Sequence, residues 1–168
     1  IAPTSGSSAE LAILATSTLN GAFAIINDGT LTGRVSLTDN PDVLTNTGIW
    51  NVSGTSNFFS GGDTIGNMLS AVINAGTTAA SVTNITSTGT LAVTNAGTIN
   101  VFGALKFTGA APSSFANTGS IDMRTAGAAT TDVVTLNSAV GVGAASNTYT
   151  PGAVFNYVGG GALGVNTY

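Results

Sequence analysis

The three-residue pattern Asn-x-Gly recurs along the chain and constrains its fold more than any other feature. Apolar residues lie four positions before and two positions after most of the glycines, with small polar residues between them. This alternation predicts a short strand on each side of the turn, with one apolar face. Because Asn and Gly tolerate positive φ, each copy is expected to turn the chain at low steric cost. The copies stand at 27–29, 46–48, 74–76, 95–97 and 117–119, and a weaker one with serine stands at 87–89.

The spacing of the copies favours a solenoid. Successive turn glycines stand 19, 28, 21 and 22 residues apart, at Gly29, Gly48, Gly76, Gly97 and Gly119. A period of about twenty residues is typical of one winding of a β-solenoid. Strands of a β-sandwich recur every ~8–12 residues, so a sandwich with hairpin turns is the less favoured alternative. We therefore predict an all-β chain of stacked parallel windings, about seven or eight in number.

The repeat divides the chain into three parts. Residues 25–137 are predicted to form the β-helix repeats, preceded by an N-terminal cap or strand at 1–24. Within that first part, residues 9–19 lack the pattern and are expected to form a capping strand or a short helix over the first winding. Residues 138–168 are rich in glycine and aromatic side chains and are predicted to be degenerate C-terminal coils or a cap.

Composition excludes several classes of function. Charged residues are only 6% of the 168, the net charge is −4, and there is neither histidine nor cysteine. The chain therefore has no basic surface for nucleic acid and no disulfide. No apolar run approaches the ~20 residues of a membrane-spanning helix, so no transmembrane segment is expected. A nearly uncharged chain rich in Gly, Ala, Thr, Ser and Asn favours an extracellular or outer cell-surface location.

Few residues are candidates for catalysis. A glycosidase needs two carboxylates facing the scissile bond. The outward position three residues after each turn glycine is predicted to carry one carboxylate, Asp122, among neutral groups. Asp63 and Asp132 are, like Asp122, expected to be turn or solvent-facing residues that supply hydrogen bonds. We predict no catalytic residue, no cofactor and no metal site. The predicted outward ladder consists of Thr32, Asn51, Ala79, Ala92, Asn100 and Asp122.

Three smaller features have alternative interpretations. The acidic segment 39–42 can bind Ca²⁺ weakly together with Asp28, but it is more simply a loop. Arg124 stands two residues after Asp122 and can pair with it, which stabilises an exposed site little. Phe58 and Phe59 cannot both point inward on a regular strand, so one is expected to be exposed. Trp50, Phe107 and Phe115 fall on the inward alternation and are expected in the core.

Segments 44–68, 93–109 and 115–137 resemble the passenger repeats of bacterial autotransporters. "LTNTGIWNV", "VTNAGTINV" and "FANTGSIDM" carry the shared Asn-x-Gly turn followed by an apolar alternation. The resemblance implies a single-stranded right-handed parallel β-helix with atypical capping ends, on the outer surface of a Gram-negative cell, used in adhesion or as a stalk. Two departures are the stretch "IGNMLSAVINAG", which interrupts the repeat, and a length too short to include a membrane barrel as well.

These observations predict a secreted cell-surface structural or adhesive protein without catalysis. Its expected partners are host or neighbouring-cell surface molecules, with no nucleic acid among them. One alternative is a self-assembling extracellular filament or surface-layer subunit that associates through the open solenoid ends, with residues 1–20 as the partner strand. A further alternative is a carbohydrate-active enzyme whose acids are brought together by loops between residues 39 and 63.

Overall fold

The computed structural model describes residues 1–15, 21–124, 132–137, 146–148 and 154–158. These ranges contain sixteen strands and no helix, and every strand pair in them is parallel. The strands are β1 Leu11–Leu14, β2 Ala24–Asn27, β3 Thr30–Thr32, β4 Arg34–Ser36, β5 Val43–Asn46, β6 Ile49–Val52, β7 Gly54–Asn57, β8 Gly62–Asn67, β9 Val72–Ala75, β10 Val82–Asn95, β11 Thr98–Val101, β12 Ala104–Asn117, β13 Ser120–Met123, β14 Val133–Asn137, β15 Ser146–Thr148 and β16 Val154–Val158.

The strands form three parallel stacks, so each complete winding has three sides. Stack A contains β2, β5, β8 and residues 90–95 and 114–117 of the two long strands. Stack B contains β3, β6, β9, β11, β13 and β15. Stack C contains β1, β4, β7, residues 82–86 and 104–108, β14 and β16. The long strands β10 and β12 run from stack C into stack A.

The predicted all-β parallel solenoid is confirmed, with about five complete turns in the described part of the chain. At ~4.8 Å per winding the stack is about 24 Å long. The expectation of seven or eight windings is wrong for the described residues. In the described ranges, the part of the chain before β2 contributes one strand, β1, and does not complete a winding. The winding between Asn67 and Asn95 takes 28 residues. Its extra residues lie in two enlarged corners, at 68–71 and 76–81.

Apolar columns run through the interior along each stack. In stack B, Leu31, Trp50, Ile73, Ile99 and Ile121 are paired in register and at most 2% exposed. In stack A the equivalent column is Ile25, Leu44, Ile65, Val93 and Phe115. The predicted core positions Trp50, Phe107 and Phe115 are confirmed, and Trp50 donates its Nε1–H to the Gly33 carbonyl at 2.9 Å. Phe58 is buried and Phe59 is exposed, as expected.

A ladder of asparagines, half-buried at Asn27 and buried in the following four windings, stabilises the corner between stacks A and B. We call Asn27, Asn46, Asn67, Asn95 and Asn117 the corner ladder. Each of the first four donates Nδ2–H to the Oδ1 of the next, over 2.6–2.8 Å. Each also donates to a backbone carbonyl near the start of a stack B strand in the next winding, at 2.8–3.1 Å. Both amide hydrogens are therefore used inside the protein, which fixes the register between windings.

The corner asparagine of the third winding is not the one that the sequence pattern predicts. The rung of the corner ladder there is Asn67, inside the stretch that was expected to interrupt the repeat. Asn74 of the 74–76 copy points outward from stack B, and Ser87 of the 87–89 copy lies at the corner between stacks C and A. Asn-x-Gly therefore occurs at more than one corner, because asparagine suits both the buried ladder and the outer face.

Steric contact between windings explains three of the four glycines of the genuine corner repeats, Gly48, Gly97 and Gly119. Gly29, Gly48, Gly97 and Gly119 do not have positive φ, so the conformational reason expected from sequence is wrong for them. A Cβ at Gly48 would lie 2.1 Å from the Gly29 carbonyl oxygen, and one at Gly119 would lie 2.0 Å from that of Gly97. The preceding winding thus leaves no space for a side chain at these positions. Positive φ occurs instead at the corner between stacks B and C, at Gly33, Gly54, Gly76 and Gly103.

The N-terminal residues cover part of the first winding. The Ile1 carbonyl accepts the Thr32 N–H at 2.7 Å, and its amino group donates to the Thr30 carbonyl, so Ile1 lies along the edge of β3. β1 pairs with β4, which makes residues 11–14 a strand rather than the alternative short helix. Residues 16–20 lie outside the described ranges. Of the predicted C-terminal coils at 138–168, only β15 and β16 are described, and they extend stacks B and C.

Removing a buried rung should cost more stability than removing an outer one. Asn95→Ala deletes two donated hydrogen bonds and one accepted bond, and we expect a loss of about 3 kcal/mol in the free energy of unfolding. Asn100→Ala, at a half-exposed position with an amide donated to Asn74, should cost less than about 1 kcal/mol. Urea denaturation measures both. Equal losses would contradict the role assigned to the corner ladder.

Glycine substitutions test the close approach of the windings. Gly119→Ala should destabilise the fold by about 2 kcal/mol or more, because the added methyl overlaps the Gly97 carbonyl. Gly29→Ala is the matched control, since a Cβ there meets nothing within 4 Å and should change stability by less than about 0.5 kcal/mol. Thermal unfolding followed by circular dichroism distinguishes the two. A tolerant Gly119 position would remove the steric explanation.

Candidate functional site

The acidic residues that sequence analysis singled out serve the corners of the solenoid. Asp42, Asp63 and Asp132 are at most 1% exposed, so the expectation that Asp63 and Asp132 are turn or solvent-facing residues is wrong as to exposure. Their expected role as hydrogen-bond partners is met. The Asp132 Oδ1 accepts the Gly103 N–H at 2.7 Å, at the corner between stacks B and C. Asp63 lies at a different corner, so the two do not form a pair.

Asp42 and Asp63 lie one above the other where stack C turns into stack A. The Asp42 carboxylate accepts the N–H groups of Phe23 at 2.7 Å and Thr38 at 2.8 Å. The Asp63 carboxylate accepts the Asp42 N–H at 3.0 Å and the Ser87 hydroxyl at 2.7 Å. In both windings a carboxylate therefore holds the backbone N–H of the preceding winding, in the way that buried carboxylates are usually satisfied.

Burial is the main influence on the Asp63 carboxyl and raises its pKa above the ordinary value. The hydrogen bonds from Ser87 and from the Asp42 backbone act in the opposite direction, and the nearby Asp42 carboxylate raises the pKa further. Between the ordinary pKa and the raised pKa, the native state binds more protons than the unfolded state. Stability contributed by this site therefore increases as the pH falls through that window and is lost as the pH rises through it.

Neutralising Asp63 tests this linkage. Asp63→Asn keeps an oxygen acceptor for the Asp42 N–H and removes the buried charge, so we expect it to be more stable than the wild type at pH 7. The difference should shrink as the pH falls through the window named above. Urea denaturation over a pH series measures it, with the exposed Asp39→Asn as control. A variant less stable than wild type at pH 7 would contradict the assignment.

The calcium interpretation of segment 39–42 does not gain support from the geometry. Asp28 follows the end of β2, whereas Asp42 precedes the start of β5, and these strands are paired in parallel. The two carboxylates therefore belong to opposite ends of stack A. Within the described ranges, no three acidic side chains come together in a way that can hold a metal ion. Asp42 accepts hydrogen bonds from two backbone N–H groups, which agrees with the simpler interpretation of segment 39–42 as a loop.

The basic residues also have positions that differ from expectation. No ion pair joins Asp122 and Arg124 in the described part of the chain, and the Asp122 Oδ1 is shielded from water without a hydrogen-bond partner. Arg34 instead holds the N-terminal segment against the solenoid. Its Nε donates to the Ala9 carbonyl at 2.6 Å, and its guanidinium donates to the Thr55 carbonyl at 3.2 Å.

A second polar ladder runs along the outer face of stack B. We call Thr32, Asn51, Asn74, Asn100 and Asp122 the outer ladder, which are paired in register. Asn51 donates to Thr32 at 3.3 Å, Asn74 to Asn51 at 2.7 Å and Asn100 to Asn74 at 2.8 Å. The predicted outward ladder is correct at Thr32, Asn51, Asn100 and Asp122. Its third member is Asn74 rather than Ala79, and Ala92 belongs to stack A.

The first three rungs of the outer ladder lie in a groove of about 680 Å³. Residues 6–9 line it on one side, and Gly76, Thr77 and Phe102 line it on the other. The Ser53 N–H donates to the Ser8 carbonyl at 2.8 Å, and Arg34 binds the next carbonyl, so the N-terminal segment is fixed in place. The volume lies within the range of ligand-binding clefts in proteins. No sequence pattern indicates this groove, because its two sides are more than sixty residues apart in the chain.

The groove offers neutral hydrogen-bonding groups. No charged side chain occurs among its described lining residues. One amide hydrogen on each of Asn51 and Asn74 is not used by the ladder, and the hydroxyls of Ser53 and Thr77 have no partner within the described residues. The groove can therefore donate and accept hydrogen bonds without attracting either sign of charge.

Comparisons with protein-family descriptions, with curated proteins and with solved structures find no match for this chain. In the ranges described above, no helix is long and apolar enough to cross a membrane.

Proposed function

We propose that this chain is a non-catalytic structural and adhesive part of a secreted bacterial cell-surface protein, similar to an autotransporter passenger. The observation that carries the proposal is the outer ladder, a regular row of polar side chains along one side of the stack that is uncharged from Thr32 to Asn100 and ends at Asp122. Such a row presents equivalent groups at about 4.8 Å intervals to a neighbouring surface. Host or neighbouring-cell surface molecules are the partners that this face would contact.

The use of the acids supports a non-catalytic role. Asp42 and Asp63 lie close together, but both are buried and accept backbone N–H groups that would otherwise be unsatisfied. A glycosidase needs its two carboxylates open to the substrate on either side of the scissile bond. The alternative of a carbohydrate-active enzyme therefore requires acids other than this pair.

Self-assembly into a filament or surface layer is the second candidate. Open strand edges at solenoid ends can pair with another copy. The N-terminal residues that were expected to donate a partner strand are engaged in their own chain, where Ile1 lies along β3 and β1 pairs with β4. This favours the adhesive proposal over head-to-tail assembly at that end.

An adhesion assay tests the proposal. Beads coated with the folded chain should bind cultured epithelial or bacterial cells at least tenfold more than beads coated with the heat-unfolded chain. In parallel, the chain should release no product from common polysaccharides and esters. Turnover that is abolished by replacing one aspartate would overturn the non-catalytic assignment, and absence of cell binding would overturn the adhesive one. Fibres in electron micrographs would favour the filament instead.

A further inference from the structure

We propose that the groove formed by the N-terminal segment and the outer ladder binds a neutral saccharide. The inference deepens the proposed adhesive function by naming the chemical class of its receptor, and it rests on that function only for its biological context. The binding itself is argued from the groove and can be tested separately.

The polar groups of the groove match a polyhydroxylated ligand. A sugar hydroxyl donates one hydrogen bond and accepts others, so it needs donors and acceptors close together. Asn51 and Asn74 are held in fixed orientations by their neighbours in the ladder, over 2.7 and 2.8 Å. Their remaining amide hydrogens and the Ser53 and Thr77 hydroxyls supply both kinds of group without a preceding rearrangement, which lowers the entropic cost of binding.

The apolar part of the groove is also suited to this class. Phe102 is half-buried and lines the groove beside Gly76. Ligand sites typically combine an apolar surface with a few placed polar groups. A Cβ at Gly76 would lie 2.3 Å from the Phe102 carbonyl oxygen, so the absence of a side chain at position 76 lets the two segments approach closely.

Charge selects against acidic ligands. No lining side chain in the described residues is basic, and the chain carries a net charge of −4. Two cations lie at this end and both are engaged: the Ile1 amino group donates to the Thr30 carbonyl, and the Arg34 Nε and guanidinium donate to the Ala9 and Thr55 carbonyls. An anionic sugar would therefore be desolvated without a compensating charge. A neutral saccharide is the better match.

A binding screen with matched variants tests the inference. The probes are neutral tri- and tetrasaccharides of glucose and N-acetylglucosamine, and their uronic-acid and sulfated counterparts, titrated into the folded chain by calorimetry and NMR. Thr77→Trp fills the groove, whereas Ala79→Trp places the same side chain on the same exposed loop away from the lining residues. We expect neutral probes to bind the wild type and the Ala79 variant, and to bind the Thr77 variant at least tenfold more weakly.

A second pair of variants separates binding from stability. Asn74→Ser removes a rung inside the groove, whereas the control Asn84→Ser removes an outward amide of stack C, where Asn84 donates to the Thr55 hydroxyl and neither residue lines the groove. The inference predicts weaker saccharide binding, by about tenfold or more, only for Asn74→Ser. It is overturned if no neutral probe binds, if only acidic probes bind, or if all four variants bind equally. Cell adhesion that persists in the Thr77 variant would overturn the groove as receptor site while leaving the proposed function intact.

Discussion

The amide-to-amide hydrogen bond between successive windings is the interaction on which the rest of the structure depends. Each of the first four corner asparagines donates one hydrogen to the next asparagine and the other to a carbonyl of the next winding. A shift of one residue would break both bonds and leave a buried amide unsatisfied, at a cost of about 1–3 kcal/mol per group. The same register aligns the apolar columns inside and the polar ladder outside.

Two polar ladders therefore share one repeat but serve different purposes. From Asn46 to Asn95 the corner ladder is buried and its amides both donate and accept hydrogen bonds within the ladder, so these residues have no capacity left for a ligand. The outer ladder is half-exposed and each amide uses only one of its two hydrogens. The groove arises where the outer ladder passes beneath the N-terminal segment, which Arg34 holds in place. The proposed binding groove is thus formed where the irregular N-terminal segment folds over the regular outer face of stack B. The strand repeat of stack B continues beneath it without interruption.

Much of the fold could be predicted from the periodic positions, but the third winding shows where that approach fails. Asn67 and Asn74 each precede an enlarged corner of this winding, at 68–71 and 76–81. Only the contacts between windings show that Asn67, and not Asn74, joins the corner ladder. The corner glycines were correctly identified for the wrong reason. At Gly48, Gly97 and Gly119 the need for glycine comes from a carbonyl of the preceding winding, about twenty residues away in sequence, and local conformational preference carries no information about that contact.

The sequence by itself determined the class of fold, the approximate length of a winding and most of the core, because these follow from alternation and period. It also determined that the surface is nearly uncharged. Only the tertiary structure decided which polar residues are buried, as Asp63 and Asp132 are, and which line a groove, as Asn51 and Asn74 do. The physical reason is that burial and cavity formation depend on contacts between distant windings, and identical Asp or Asn residues have opposite environments according to the corner or face that they occupy.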